Sequence, residues 1–372
     1  MKFRIEKKRF LELLVPAGAA STNKNSLPAL EGLLLTVENG VLSVCGYDLE
    51  KGIRTHDEVE YGEDGAVIAN SQKLIAIVRT LPDCTVEVSS DSRNIVEISA
   101  GQAQFKIHGL ASDVFPSLPD LGNDRSFEIR QDVLREMIQS TIFAAAVSDA
   151  RPILCGELFK VEGSKLTVVA LDNFRLALRE EYDAVKNNED CFSVIIPSRA
   201  LSDLVKLIGD SADPVRVELT KKYAVFSIRN IIMFTRLIDG EYIDYRRAIP
   251  QECKISAVVD TGALAECVER TSLLVDEKLK TPLRCFFTDD ALNISCSTQY
   301  GKAQDTIAVR KTGADIEIGF NNRYLLDAVR ACRDESVTIE LWTPLMSMVI
   351  RPTEKREDGS FLYLVGPCRL KD

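Results

Sequence analysis

The feature that most constrains this chain is that it repeats itself. A shift of 124 residues carries Pro28, Leu30, Gly32, Val37, Leu42, Val44 and Asp48 onto Pro152, Leu154, Gly156, Val161, Leu166, Val168 and Asp172, without a gap. The same shift places Phe3, Ile5 and Leu14 on Phe127, Ile129 and Ile138. A weaker third copy begins at Ile255–Leu274, with Thr281-Pro282-Leu283 as its strand entry. A second element also recurs three times, starting at Asn70, Pro197 and Asn321. Each instance opens on a capping residue or Pro, continues with helical apolar spacing and ends on a cation in register: Arg79, Lys206 or Arg330. Runs such as 41–44, 85–88, 165–169 and 215–219 alternate with period two, as half-buried strands do. Each copy therefore reads as strand, helix, strands, second helix, strands. The breaks fall at the Pro-rich stretch 116–123 and near Pro250, which predicts an α+β chain of three similar domains, 1–120, 121–250 and 251–372.

Composition limits what such a chain does. Its 372 residues carry a formal charge of −10, which argues against a surface that is basic overall. Only His56 and His108 occur, so a histidine triad or multi-histidine metal site is not expected. The ten cysteines show no CxxC and no repeated spacing, and read as reduced core thiols of a cytosolic protein. The apolar run 10–15 resembles a signal segment, but Glu12 interrupts it and the segment recurs internally. No stretch of about 20 uncharged apolar residues is present. Neither a metal nor a cofactor is expected.

Charge is segregated by structural role. The six predicted helices together carry +3, leaving −13 on the rest of the chain. A basic helical lining in an acidic body suits a polyanion held through its phosphates without regard to sequence. The plainer alternative is that these cations are solvated helix faces. Asp48 and Asp172 occupy the same repeat position, which favours a turn role over catalysis. No nucleophile has a conspicuous base nearby, so no catalytic residue is assigned.

Three segments carry a resemblance: 171–177 (LDNFRLA), 239–250 (DGEYIDYRRAIP) and 365–370 (VGPCRL). Together with the repeats, they make the whole chain similar to the bacterial sliding clamps, the beta subunits of DNA polymerase III. The resemblance implies a DNA clamp fold, with three domains each packing two helices on antiparallel sheets. Two crescents join head to tail into a homodimeric ring lined by twelve helices. Such a ring encircles double-stranded DNA, slides on it and tethers the replicative polymerase. It is opened by a separate ATP-driven loader and performs no chemistry itself. A cytoplasmic, nucleoid-associated location follows.

The resemblance also implies sites. Phosphate contacts are expected from Lys24, Lys73, Arg79, Arg199, Lys206, Arg323 and Arg330. A pocket for a short partner peptide with apolar anchors is expected from Leu154, Leu171, Asn173, Phe174, Arg175, Leu176, Ile243, Arg247 and Ala248. Its other side comprises Asn321, Tyr324, Leu345, Ser347, Leu364, Val365, Gly366, Pro367, Cys368, Arg369 and Leu370. Arg175, Arg247 and Asn321 are expected to orient the peptide. Asn173-Phe174 replaces a frequent Gly-His pair, Gly366 and Cys368 stand where Met is usual, and Ala248 where Val is common. Phe174 is thus expected to narrow one subsite, and Gly366 and Ala248 to widen another. At the ring interface, Phe105 and Ile107 match one side, Leu273 and Leu274 the other. Two alternatives remain: a clamp-like peptide-binding scaffold that does not encircle DNA, and a hydrolase or transferase using Asp48 or Asp172.

Overall fold

A computed structural model describes residues 1–22, 27–122, 124–186, 190–276 and 281–370. Among them, six α-helices follow one another: α1 (Lys7–Gly18), α2 (Ser71–Thr80), α3 (Gln131–Thr141), α4 (Ser198–Leu207), α5 (Thr261–Ser272) and α6 (Asn322–Ala331). The odd-numbered helices follow directly on strands Lys2–Glu6, Arg125–Arg130 and Ile255–Asp260. One backbone bond recurs at this joint: Lys7, Gln131 and Thr261 donate to the carbonyls of Cys84, Asp213 and Glu335 at 3.2, 3.0 and 2.9 Å. Several helix starts are closed by side chains. Asn70, Asp260 and Asn321 accept from the backbone N–H of Lys73, Ala263 and Tyr324, occupying donors that lack an intrahelical partner.

The chain separates into two compact units, Met1–Gln131 with Lys206–Leu237, and Asp132–Val205 with Ile238–Asp372. The first holds a five-stranded sheet in the order Tyr61–Glu63, Lys2–Glu6, Thr85–Ser90, Ile95–Ala100, Ala103–His108. Its other sheet runs through Arg125–Arg130, Pro214–Leu219, Tyr223–Ile228, Ile231–Arg236, Lys51–Glu58, Val41–Tyr47, Gly32–Glu38 and Gly65–Asn70. The second unit is built on one 13-stranded sheet from Cys191–Pro197 to Pro367–Cys368. All described strand pairs with a stated register are antiparallel.

Consecutive repeats are joined by strand pairing. Lys51–Glu58 of the first pairs with Ile231–Arg236 of the second, from Thr235↔Lys51 to Ile231↔Thr55. The repeat equivalent of Lys51–Glu58 is Arg175–Glu181, which pairs with Gly359–Val365 of the third, from Arg175↔Val365 to Glu181↔Gly359. Alternation sends one face of each strand into a core. Phe3, Ile5, Phe10, Leu13 and Leu14 pack with Leu33, Leu74, Val86 and Ile98. Ala257, Leu264, Val268, Ile294, Ile318, Leu325 and Val337 form the counterpart in the third repeat.

The cysteines do not all enter these cores. Cys45, Cys267, Cys285, Cys296 and Cys332 are buried, but Cys84, Cys191 and Cys253 are exposed and Cys155 and Cys368 half-buried. The reading of all ten as core thiols is therefore corrected: the exposed three lie at strand ends and turns, where the chain emerges from the apolar face. Burial pushes the Cys45 and Cys267 thiols up to about 12, so they stay protonated and unreactive.

One polar pair interrupts the apolar interior. Glu157 is fully buried, and its Oε2 accepts from Thr141 Oγ1 at 2.5 Å, while Oε1 has no partner among the described residues. At the matching positions the first repeat has Ala17 and Leu33. Removal from water raises the Glu157 carboxyl from 4.5 to about 8. Between those values the folded chain holds a proton that the unfolded chain releases, so stability falls as pH rises through the window. Glu157→Gln removes this slope. Urea unfolding from pH 5 to pH 8 is expected to show stability that falls more steeply with pH in the wild type than in the variant; parallel profiles would contradict the assignment.

Candidate partner pocket, basic helices and open edges

The expected peptide pocket lies wholly within the second unit, and its centre is the tip of the hairpin joining strands Lys165–Leu171 and Arg175–Glu181. Asp172 shapes this tip. Its Oδ1 accepts from the backbone N–H of Phe174 and Arg175 at 2.7 and 3.0 Å. Asp48 does the same for Glu50 and Lys51 at 3.0 and 2.8 Å. The repeated aspartates are thus turn formers, as their shared position predicts.

The tip is tied down on three sides. Arg175 donates to Asp172 at 3.1 Å and to Asp327 of α6 at 2.7 Å. Its guanidinium lies 4.5 Å from the centroid of the Tyr324 ring, a favourable cation–π distance. Phe174 stacks on Tyr324 with ring centroids 5.9 Å apart and 23° between planes, yet stays 56% exposed. Arg151 donates to Asn173 Oδ1 at 2.6 Å and to Asp149, whose carboxyl it holds below the usual range. Asn173 Nδ2 donates to Asp149 in turn. Arg175, expected to orient a peptide, is instead committed to two carboxylates and a ring. The Asn321 side-chain oxygen is likewise engaged, capping α6. Arg247 is exposed and pairs with Asp244 at 2.9 Å.

Beneath the tip, Leu171, Leu176 and Leu364 join one apolar cluster with Leu158, Val169, Trp342 and Val349. Strand alternation turns Val365 the other way, into the core of the third repeat. Leu154 is fully buried outside this cluster. Ile243, Ser347, Pro367, Cys368 and Leu370 are half-buried, while Ala248, Leu345 and Arg369 are exposed. Burial raises the Cys368 thiol. Gly366 does not widen a subsite. Its N–H donates to the Phe174 carbonyl at 2.7 Å, and an added Cβ would lie 2.8 Å from that oxygen. The space is filled by backbone, which explains a glycine there. Trp342 and Tyr245 were missed by the sequence reading. A lone tryptophan among polar and Pro residues carries no periodic signal.

The expected phosphate contacts lie on the even-numbered helices. Arg79, Lys206 and Arg330 each occupy the ninth of ten helical positions, in the last turn, where a cation also complements the helix dipole. Lys73, Arg79, Arg199, Lys206, Arg323 and Arg330 are all exposed. Arg330 donates to Glu269 of α5 at 2.6 Å, so its charge is partly neutralised within the chain. Lys24 lies outside the described residues.

Of the four expected interface residues, Phe105 and Ile107 sit on Ala103–His108, which among the described residues pairs only with Ile95–Ala100 and ends its sheet. Leu273 is 83% exposed at the end of α5. Leu274 Cδ1 lies 3.7 Å from where a Cβ on Gly301 would stand. Gly301 begins the strand Gly301–Thr312, which pairs with Ala291–Thr298 from Gly301 to Ala308 and with Ile255–Asp260 from Val309 to Thr312. Each unit thus presents one strand with an open edge beside the expected interface residues.

Comparison with known proteins gives one consistent result. Residues 1–119, 128–244 and 246–368 match the N-terminal, central and C-terminal domains of the DNA polymerase III beta subunit. The beta sliding clamp of Bacillus subtilis is 28% identical over 380 residues, covering 99% of this chain and all of that protein. The crystal structure of the B. subtilis sliding clamp superposes with a TM-score of 0.94 at 28% identity, covering both chains fully. The structure of a DNA polymerase III beta subunit from Eubacterium rectale, described as putative in its own naming, superposes at 0.93 with 30% identity and full coverage of both chains. A Pseudomonas aeruginosa clamp bound to griselimycin superposes at 0.92 with 28% identity. With three tandem repeats of one antiparallel architecture and a match along its whole length, the chain belongs to the DNA polymerase III beta subunit family, the beta sliding clamps.

Proposed function

We propose that two copies of this chain close head to tail into a ring around duplex DNA and tether the replicative polymerase to it. The observation that carries this reading is an unfinished rule of strand pairing. Lys51–Glu58 of the first repeat takes a strand of the second, and Arg175–Glu181 of the second takes a strand of the third. The corresponding strand of the third repeat, Gly301–Thr312, is open over its first half, and the first repeat offers Ala103–His108 with a free edge. Pairing these edges between two copies completes the rule twice and leaves no open end. Phe105, Ile107, Leu273 and Leu274 then supply apolar anchors beside the joined backbones. Within this reading the domains run 1–120, 121–250 and 251–372.

Enclosure replaces affinity. A closed ring needs only weak, exchangeable phosphate contacts, for which Lys24, Lys73, Arg79, Arg199, Lys206, Arg323 and Arg330 remain the candidates. Such contacts are salt-sensitive and sequence-independent, and permit sliding. Holding a polymerase near the primer end raises its effective concentration without new chemistry. The partner's peptide is proposed to bind at the hairpin tip, with apolar anchors on Leu171, Leu176 and Leu364 and an aromatic shelf at Phe174 and Tyr324.

Three measurements bear on this reading. Loaded onto a nicked circular duplex with a clamp loader and ATP, the protein is expected to remain bound at moderate salt and to leave when the circle is cut. Departure from both forms alike would favour the scaffold that does not encircle DNA. Phe105→Arg places a charge at the joined edge and is expected to convert the dimer to single chains in sedimentation, whereas Val147→Arg, at a site 84% exposed, leaves it unchanged. Gly366→Ala forces a methyl against the Phe174 carbonyl and is expected to cost about 1–3 kcal/mol of unfolding free energy. Gly262→Ala, in the first turn of α5 with its nearest neighbour 3.4 Å away, serves as the unhindered control and is expected to leave stability equal or raised; equal stability of the two would contradict the tight clasp.

A further inference from the structure

Thr141 and Glu157 stand at the two ends of one loop of the second unit. Thr141 is the last residue of α3, Glu157 is the second residue of strand Gly156–Glu162, and residues 142–155 run between them. Both end residues are buried, while Val147, Ser148, Ala150, Arg151 and Pro152 of the loop are exposed. Inside the loop the Ala146 N–H donates to the Leu154 carbonyl at 2.8 Å. The same loop reaches the hairpin tip. Arg151 donates to Asn173 at 2.6 Å, and the Phe143 ring lies 5.8 Å from the Arg175 guanidinium and edge-on to Tyr363 at 5.5 Å.

Proton counting shows what closes the base of this loop. Thr141 Oγ1 lies 2.9 and 3.3 Å from the Met137 and Ile138 carbonyls and 2.5 Å from Glu157 Oε2. A hydroxyl has one proton, and a carbonyl has none to give. With a proton on Glu157, the acid donates to Thr141 and Thr141 donates to its own helix. Without it, a carboxylate competes with the helix carbonyls for the single threonine proton, and Oε1 still has no partner among the described residues. Burial and the Thr141 bond act on this carboxyl, and no charged side chain does among the described residues. Its strand neighbour is Ile196. The nearby Tyr242 hydroxyl shares its proton between the Gly156 and Val169 carbonyls at 3.5 and 3.3 Å, and burial keeps it protonated. The first repeat has Ala17 and Leu33 at the matching positions. In the third, Thr271 is also the eleventh residue of its helix, and among the described residues its hydroxyl bonds only to the Cys267 and Val268 carbonyls.

We propose that the Thr141–Glu157 contact is a proton-dependent clasp: protonated, it closes the base of the 142–155 loop and so holds the hairpin tip through Arg151 and Phe143, and on losing the proton it releases the loop. An opened loop returns Glu157 to water, where the carboxyl ionises near its ordinary 4.5 and not near the value of about 8 that burial imposes. Opening is therefore favoured progressively as pH rises from about 5 to about 8, and levels off above that. Where the tip takes a partner's peptide, which rests on the reading proposed above, the proton sets how firmly the Phe174–Tyr324 shelf is held.

The test is amide hydrogen exchange of the full-length protein, read by mass spectrometry on residues 142–155 and corrected for the intrinsic pH dependence of exchange. In dilute urea, below the unfolding transition, exchange of this loop is expected to be insensitive to urea, the mark of a local opening that exposes little surface. That opening is expected to rise about tenfold per pH unit between about pH 5 and pH 8, as release of one proton requires. In Glu157→Gln, which keeps the shape and a donor but does not ionise, the rise is expected to vanish. Thr141→Val, of the same shape without the hydroxyl, is expected to increase opening about tenfold at pH 5, as loss of one hydrogen bond does. A local opening that does not change with pH, or a rise that persists in Glu157→Gln, would overturn the proposal. So would loop exchange as urea-dependent as that of strand Lys165–Leu171, a result read on the wild type alone should the variants not fold. The loop is read without a peptide, so failure here leaves the peptide reading standing, and failure of peptide binding leaves the clasp standing.

Discussion

The architecture depends on one requirement: the backbone groups along a strand edge need partners. Within each repeat the strands satisfy one another, but a sheet always ends somewhere. Here the ends are used as joints. The strand that would be the exposed edge of the first repeat receives Ile231–Arg236, and its equivalent in the second receives Gly359–Val365. Open edges invite uncontrolled association. Within the chain that liability becomes a specific connection, because each such edge is taken by a strand of the next repeat.

The shape of the hairpin tip comes from commitment of its polar groups. Asp172 gives one oxygen to two backbone amides and the other to the Arg175 Nε–H, and the Arg175 Nη1 donates to Asp327. What is left to the surface is the apolar part of the site: the outer face of Phe174 and the leucines beneath it. These ties hold the Phe174–Tyr324 shelf in place.

Much of this was legible in the sequence because repetition amplifies weak signals. A single alternating run is ambiguous, but the same run at a fixed offset fixes the strand, its inward face and the helix that follows. The repeat register alone makes Arg79, Lys206 and Arg330 equivalent, and they occupy the same helical position. What repetition hides is where the copies differ. Nothing in the pattern says that Arg330 is shared with Glu269, or that Gly366 abuts a carbonyl instead of opening a groove. These are properties of side-chain packing across elements distant in sequence, and no local spacing encodes them. The exposed cysteines belong to the same class: apolar neighbours in sequence do not guarantee burial at the end of a strand.

The single tryptophan of the chain has a consequence of a different kind. Trp342 is buried in the apolar cluster beneath the hairpin tip, and its indole N–H donates to the carbonyls of Gln251 and Glu252 at 3.0 and 2.7 Å. Its ring therefore packs in the cluster that holds Leu171, Leu176 and Leu364, while its nitrogen is anchored to the segment that enters the third repeat. With no second indole to dilute the signal, the intrinsic fluorescence of this protein is a built-in optical gauge of that one place in the molecule, readable without labels or mutations.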